Sequence, residues 1–126
     1  AFYNTCKHPL IYNGDLTTIE DIHRIENSYP KLAGIMIGRG LLARPTLSAE
    51  YASGKEYSEA ERRNLLHAMH DRLIAHYETT ANSEAQIHSR MRLFWEYMET
   101  EIGRKVYKKI MKAGNLKNYL AAVREV

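Results

Sequence analysis

Two short segments of this 126-residue sequence carry residue types suited to holding an anion: Asn13-Gly14-Asp15 and Gly38-Arg39-Gly40. Glycine lets backbone N–H groups approach phosphate oxygens closely, and arginine offers a planar fork of donors that matches them. A short helix predicted to open at Leu41 adds the positive end of its dipole. Each segment alone is an ordinary turn. Together they become a cradle only if the fold carries both to one place.

A second set of residues has the spacing of a polyanion contact. Lys105, Lys108, Lys109 and Lys112 recur at three- and four-residue intervals and so project from neighbouring faces of one helix, with Arg90 and Arg92 on the helix before it. Residues 1–87 hold 9 Lys/Arg against 11 Asp/Glu, whereas residues 88–126 hold 9 against 4, so the net charge of +3 is concentrated in the last third. Such a face can grip phosphates without reading sequence, although charge alone does not separate it from a solvated lysine face. Of the nearby aromatics, Phe94 and Trp95 fall on an apolar stripe and read as core, which leaves Tyr97 freer to stack on a base.

Other reactive side chains read as structural. His67, His70 and His76 share a helix but have no acidic or cysteine partner at ligand spacing, so they are taken as surface or core histidines and no metal site is predicted. The single cysteine, Cys6, excludes an internal disulfide and is expected to be a small buried apolar residue. No apolar run approaches the ~20 residues of a membrane span, and the first ten residues lack a signal-peptide pattern, so a soluble cytoplasmic protein is expected.

The positioning elements follow from periodicity. Residues 8–13, HPLIYN, read as a buried strand, and Thr17 with Glu20 forms a capping box for a helix bearing Ile19, Ile22 and Ile25 that ends near Pro30. Residues 34–38, GIMIG, read as a second strand. Strand, helix and strand make one βαβ unit with parallel neighbouring strands, so the two glycine-bearing segments leave the same edge of the sheet. Short helices follow at 41–43 and 46–52, the latter closed by Gly54. Ser58 and Glu61 then box the start of a long helix whose stripe is Leu65, Leu66, Met69, Leu73, Ile74 and Tyr77. The next helix, capped at Asn82 or Ser83, runs to Gly103, and two more carry Val106 to Met111 and Leu116 to Val123. A two-stranded parallel sheet is not a stable domain by itself, because both its faces need cover. The expected fold is therefore α/β plus α. Residues 1–54 form the end of a TIM (β/α)8 barrel with its last two strands, and residues 55–126 form a small helical bundle, the whole being a piece of a longer chain.

The segments PLIYNGDL and GIMIGRGLLARP resemble the last two barrel strands of the tRNA-dihydrouridine synthase family, and SRMRLFWEY at residues 89–97 resembles a helix of its tRNA-gripping domain. The resemblance is strongest over residues 9–45. It implies that Asn13, Gly14, Asp15, Gly38 and Arg39 hold the phosphate of FMN, and that the parent enzyme reduces uridine to 5,6-dihydrouridine with NADPH as reductant; the basic residues Arg90, Arg92, Lys105, Lys108, Lys109 and Lys112 are then expected to contact the tRNA backbone. The family's acid cysteine belongs to earlier strands. Cys6 matches no catalytic position, so no catalytic residue is assigned, and the chain alone is expected to be inactive, to bind FMN weakly and to self-associate through exposed strands. Two rival readings are another phosphate-binding TIM-barrel flavoprotein, such as a dihydroorotate-dehydrogenase-like enzyme, and a stand-alone RNA-binding helical module.

Overall fold

The computed structural model describes residues 2–126. It opens with a single turn, α1 (Phe2–Thr5), followed by β1 (Ile11–Asn13), α2 (Ile19–Ser28) and β2 (Gly34–Met36). The strands are parallel, with Ile11 opposite Gly34, Tyr12 opposite Ile35 and Asn13 opposite Met36. They are shorter than the apolar runs suggest. Pro9 has no N–H to give a ladder, and each strand has one neighbour in the two-stranded sheet.

The start of α2 lies one residue beyond the expected box. Thr18 is the N-cap and accepts from the Asp21 N–H at 3.0 Å, while the Asp21 carboxylate reaches back to the Thr17 N–H at 3.2 Å. That backbone bond, helped by the Thr18 contacts and Arg24, holds the Asp21 carboxyl below its usual range against the upward push of burial. Ile22 and Ile25 bury against Leu16 and Leu47, with Tyr12, Ile19, Leu32, Ile35, Ile37 and Leu41 packed around them. The far side of the sheet is barer. Ile11 and Met36 are 66% and 56% exposed. On the core side, an apolar hollow of about 560 Å³ beside β2 is lined in part by Ile22, Leu32, Ile35, Ile37 and Tyr51.

After β2 come α3 (Arg39–Ala43) and α4 (Leu47–Ser53), the latter stopped by Gly54 at φ 67°, where a side chain would be strained. The first of these begins at Arg39 rather than Leu41. Then α5 (Glu59–Thr80) opens on the capping box of Ser58 and Glu61. Its inward face is Leu66, His70, Leu73, Ile74 and Tyr77; Leu65 and Met69, expected on the same stripe, are 47% and 49% exposed. Adjacent positions lie about 100° apart on a helix, and it is Leu66 and its i+4 neighbour His70 that face the core.

The helix expected to run unbroken to Gly103 is divided into α6 (Glu84–Phe94), capped by Ser83, and α7 (Glu99–Ile102). The turn between them lets Trp95, Met98 and Ile102 all bury. Two last helices, α8 (Arg104–Lys112) and α9 (Leu116–Val123), complete a second apolar group drawn from residues 66–126. Cys6 is half-buried rather than buried, because it precedes the sheet in an open segment, and its Sγ donates to the His8 carbonyl at 3.7 Å. Among the described residues no helix is long and apolar enough to cross a membrane.

Candidate anion cleft and basic helical face

Because β1 and β2 are parallel and Asn13 lies opposite Met36, the loops that leave them open at one edge. They enclose a cleft of about 340 Å³ lined by Asn13, Gly14, Asp15, Met36, Gly38 and Arg39. The five residues singled out for an anion thus share one cavity. Met36 joins them through its place at the end of β2, a contribution that the apolar run did not announce.

What lets the two loops close on each other is Gly40, a packing demand that the GRG segment did not show. It is buried, and a Cβ there would overlap the Leu16 carbonyl oxygen and press on Ile37 Cγ2 at 3.0 Å. The α3 backbone can lie against the segment following Asp15 only because this residue has no side chain. At Gly14 the atoms nearest a Cβ belong to the ring end of Tyr12, which can swing aside.

Charge in the cleft is already organised. Arg39 Nη2 donates to Asp15 Oδ1 at 2.9 Å, and both side chains are mostly exposed, at 70% and 78%. A guanidinium has five N–H donors, so Arg39 keeps several for an incoming anion while the carboxylate fixes its direction. The Asp15 carboxylate itself would repel a phosphate, and its observed contact is with Arg39. The N-terminus of α3 at Gly38 has no side-chain cap. This set of donors fits a phosphate group, with one cation, glycine backbone on both loops and an uncapped helix end.

The basic residues lie on the helical part. Val106, Tyr107, Ile110 and Met111 turn one side of α8 into the second apolar group, leaving Lys105, Lys108, Lys109 and Lys112 exposed. Lys109 is engaged by Glu125 at 2.7 Å, whereas Lys105, Lys108 and Lys112 make no ion pair among the described residues. Arg92 is exposed, and Arg90 lies over the Tyr77 ring at 5.4 Å. Trp95 is fully buried, with Phe94 edge-on to it at 4.9 Å, while Tyr97 is 45% exposed.

The three helical histidines diverge. His70 is buried and bonds the Tyr119 hydroxyl at 2.8 Å, His67 bonds the Val126 carbonyl at 3.2 Å, and His76 is exposed beside Tyr77. Among the described residues no group of three or more His, Cys, Asp or Glu side chains is placed to hold a metal ion.

Comparison with known proteins adds one match. Neither a curated protein nor a solved structure matches the chain. A family model described as dihydrouridine synthase matches residues 4–125, nearly the whole length, and the chain therefore belongs to the tRNA-dihydrouridine synthase family.

Proposed function

We propose that this chain contributes the phosphate end of the FMN site and a tRNA-binding helical unit to an enzyme that reduces uridine in tRNA to 5,6-dihydrouridine. The observation that carries the reading is the convergence of Asn13, Gly14, Asp15, Gly38 and Arg39 on one cleft, in a chain of this family. Residues 1–54 act as the closing βαβ part of a TIM barrel, whose further strands would cover Ile11 and Met36, and residues 55–126 act as the RNA-binding unit. The reading places the protein in the cytoplasm, with tRNA as its partner.

When bound, FMN supplies the hydride chemistry, accepting from NADPH and delivering to the C5–C6 double bond of uridine. The residues of this chain hold the phosphate. Arg39 gives charge and direction, Asp15 orients Arg39, and Gly14 and Gly38 leave room for backbone contacts. Cys6 lies upstream of the opposite end of β1 from the cleft, so no proton transfer is assigned to it.

The test separates the two ligands in the complete protein. Arg39→Ala is expected to lower the FMN content of the purified protein by removing the one cation of the cleft. Lys105→Ala, Lys108→Ala and Lys112→Ala together are expected to leave FMN content unchanged and to weaken tRNA binding, with its log–log salt slope falling by up to about 3. Unchanged FMN content in the first variant, or unchanged tRNA affinity and slope in the second, would refute the corresponding half of the reading.

A further inference from the structure

Between the cleft and the basic face runs a set of polar contacts that neither of them uses. Glu50 on α4 is completely buried, and both its oxygens are engaged. Arg44 donates to them from Nε at 2.9 Å and Nη2 at 2.6 Å, Thr46 from its hydroxyl at 3.0 Å, and Tyr57 from its backbone N–H at 2.7 Å. Burial pushes the Glu50 carboxyl up, but the Arg44 fork and the Tyr57 and Thr46 bonds outweigh it and hold the group below its usual range. Tyr57 is gripped from its other side as well. Its carbonyl accepts from Arg62 Nη1 at 2.8 Å, and Arg62 Nε donates to Glu101 Oε1 on α7 at 2.7 Å.

The relay Arg44, Glu50, Tyr57 main chain, Arg62, Glu101 begins and ends at informative places. Arg44 is the C-cap of α3, the five-residue helix that starts in the cleft at Arg39. Glu101 stands two residues before Gly103, the N-cap of the lysine-bearing α8. The two apolar groups share no member, and among the described residues the ion pairs with both partners largely buried are the two in this relay. Buried ion pairs add little net stability compared with apolar packing, but their bonds are short and directional. A junction built this way fixes an angle more than it adds strength.

We propose that this relay sets the orientation of the basic helix α8 relative to the anion cleft, making Arg44, Glu50, Arg62 and Glu101 positioning residues for an RNA whose backbone lies on α8 while its reacting base reaches the cleft side. The proposal rests on the tRNA reading above. It predicts that loosening the outer pair, Arg62 with Glu101, frees the helical unit to turn without unfolding it.

The experiment uses the complete protein with two genetically encoded spin labels, at the exposed positions Glu20 on α2 and Lys117 on α9. Each variant is measured at a temperature where its helical circular dichroism equals that of the unaltered protein. A narrow distance distribution is expected in the unaltered protein and in Arg62→Lys, which keeps a cation facing Glu101, and a broadened one in Arg62→Ala and Glu101→Ala. In the two alanine variants tRNA binding should weaken about tenfold, with the salt slope falling by about one for each phosphate that α8 no longer reaches, and Arg62→Lys should recover most of both. A distribution that stays narrow in the alanine variants overturns the proposal whatever the RNA does. A broadened distribution with unchanged tRNA affinity and slope overturns the positioning role. Failure of the unaltered protein to bind tRNA overturns the functional reading, and the role in RNA placement with it.

Discussion

Replacing Gly40 by alanine drives a methyl group into the Leu16 carbonyl, which is backbone and cannot swing away. Gly40→Ala is therefore expected to destabilise the protein by about 1–3 kcal/mol in urea unfolding and to spread the cleft, lowering FMN content. Gly14→Ala meets a movable Tyr12 ring and should do much less; equal effects at the two sites would refute this account. The GRG segment was legible as part of an anion site, but not this demand, because it comes from a carbonyl 24 positions earlier. His70 offers a second residue-scale outcome. Burial holds its imidazole below the ordinary value, against the opposing bond and charge of Asp71, so the folded state prefers it neutral. Above the unfolded value near 6.5 its contribution is complete; as the pH falls below that, the unfolded chain takes up the proton first and stability is lost. The loss is about 1.4 kcal/mol for each unit of depression, down to the folded value. Urea unfolding between pH 7.5 and 5 should show a shallower decline in His70→Gln than in the unaltered protein, and parallel declines would count against it.

At the scale of elements, what sequence revealed depended on how local the cause is. The box of Ser58 and Glu61 and the stop at Gly54 act within a few residues and were readable, while the cap of α6 was narrowed to Asn82 or Ser83 and is Ser83. The cap of α2 slipped by one because Thr17-Thr18 and Glu20-Asp21 offer the same chemistry twice, and the shorter acid reached back to the Thr17 N–H. The division of α6 from α7 was not readable. Trp95 Nε1 donates to the Tyr119 hydroxyl at 2.8 Å, and that hydroxyl also meets His70 Nε2 at 2.8 Å, so the turn is tied to helices on both sides. The Tyr119 hydroxyl accepts from the tryptophan and also lies 3.5 Å from the Met91 carbonyl, while His70 Nδ1 faces Asp71 at 3.2 Å. The same burial raises the phenol far above its ordinary range, so it stays protonated. Tyr119→Phe leaves two buried nitrogens without a partner and is expected to cost about 1–3 kcal/mol. A change below a few tenths in denaturant unfolding would mean that water replaces the hydroxyl.

For the whole molecule, two short parallel strands and a helical remainder were legible from the change of period, and the five cleft residues stand out by type and spacing even without their meeting in space. The relay was not legible, since Glu50 reads as one more surface acid of a short helix until its four donors are in place. The uncovered side of the sheet has a consequence for the chain by itself. With Ile11 and Met36 exposed and a strand edge open, it is expected to self-associate, and a clean monomer in sedimentation at high concentration would argue otherwise. The separation of the two apolar groups has another consequence. Groups with no member in common are expected to melt less than fully together, so heating should not find one cooperative block. In scanning calorimetry the measured heat of unfolding should exceed the van't Hoff value read from the shape of the transition, whereas a ratio of one would show that the two cores behave as one.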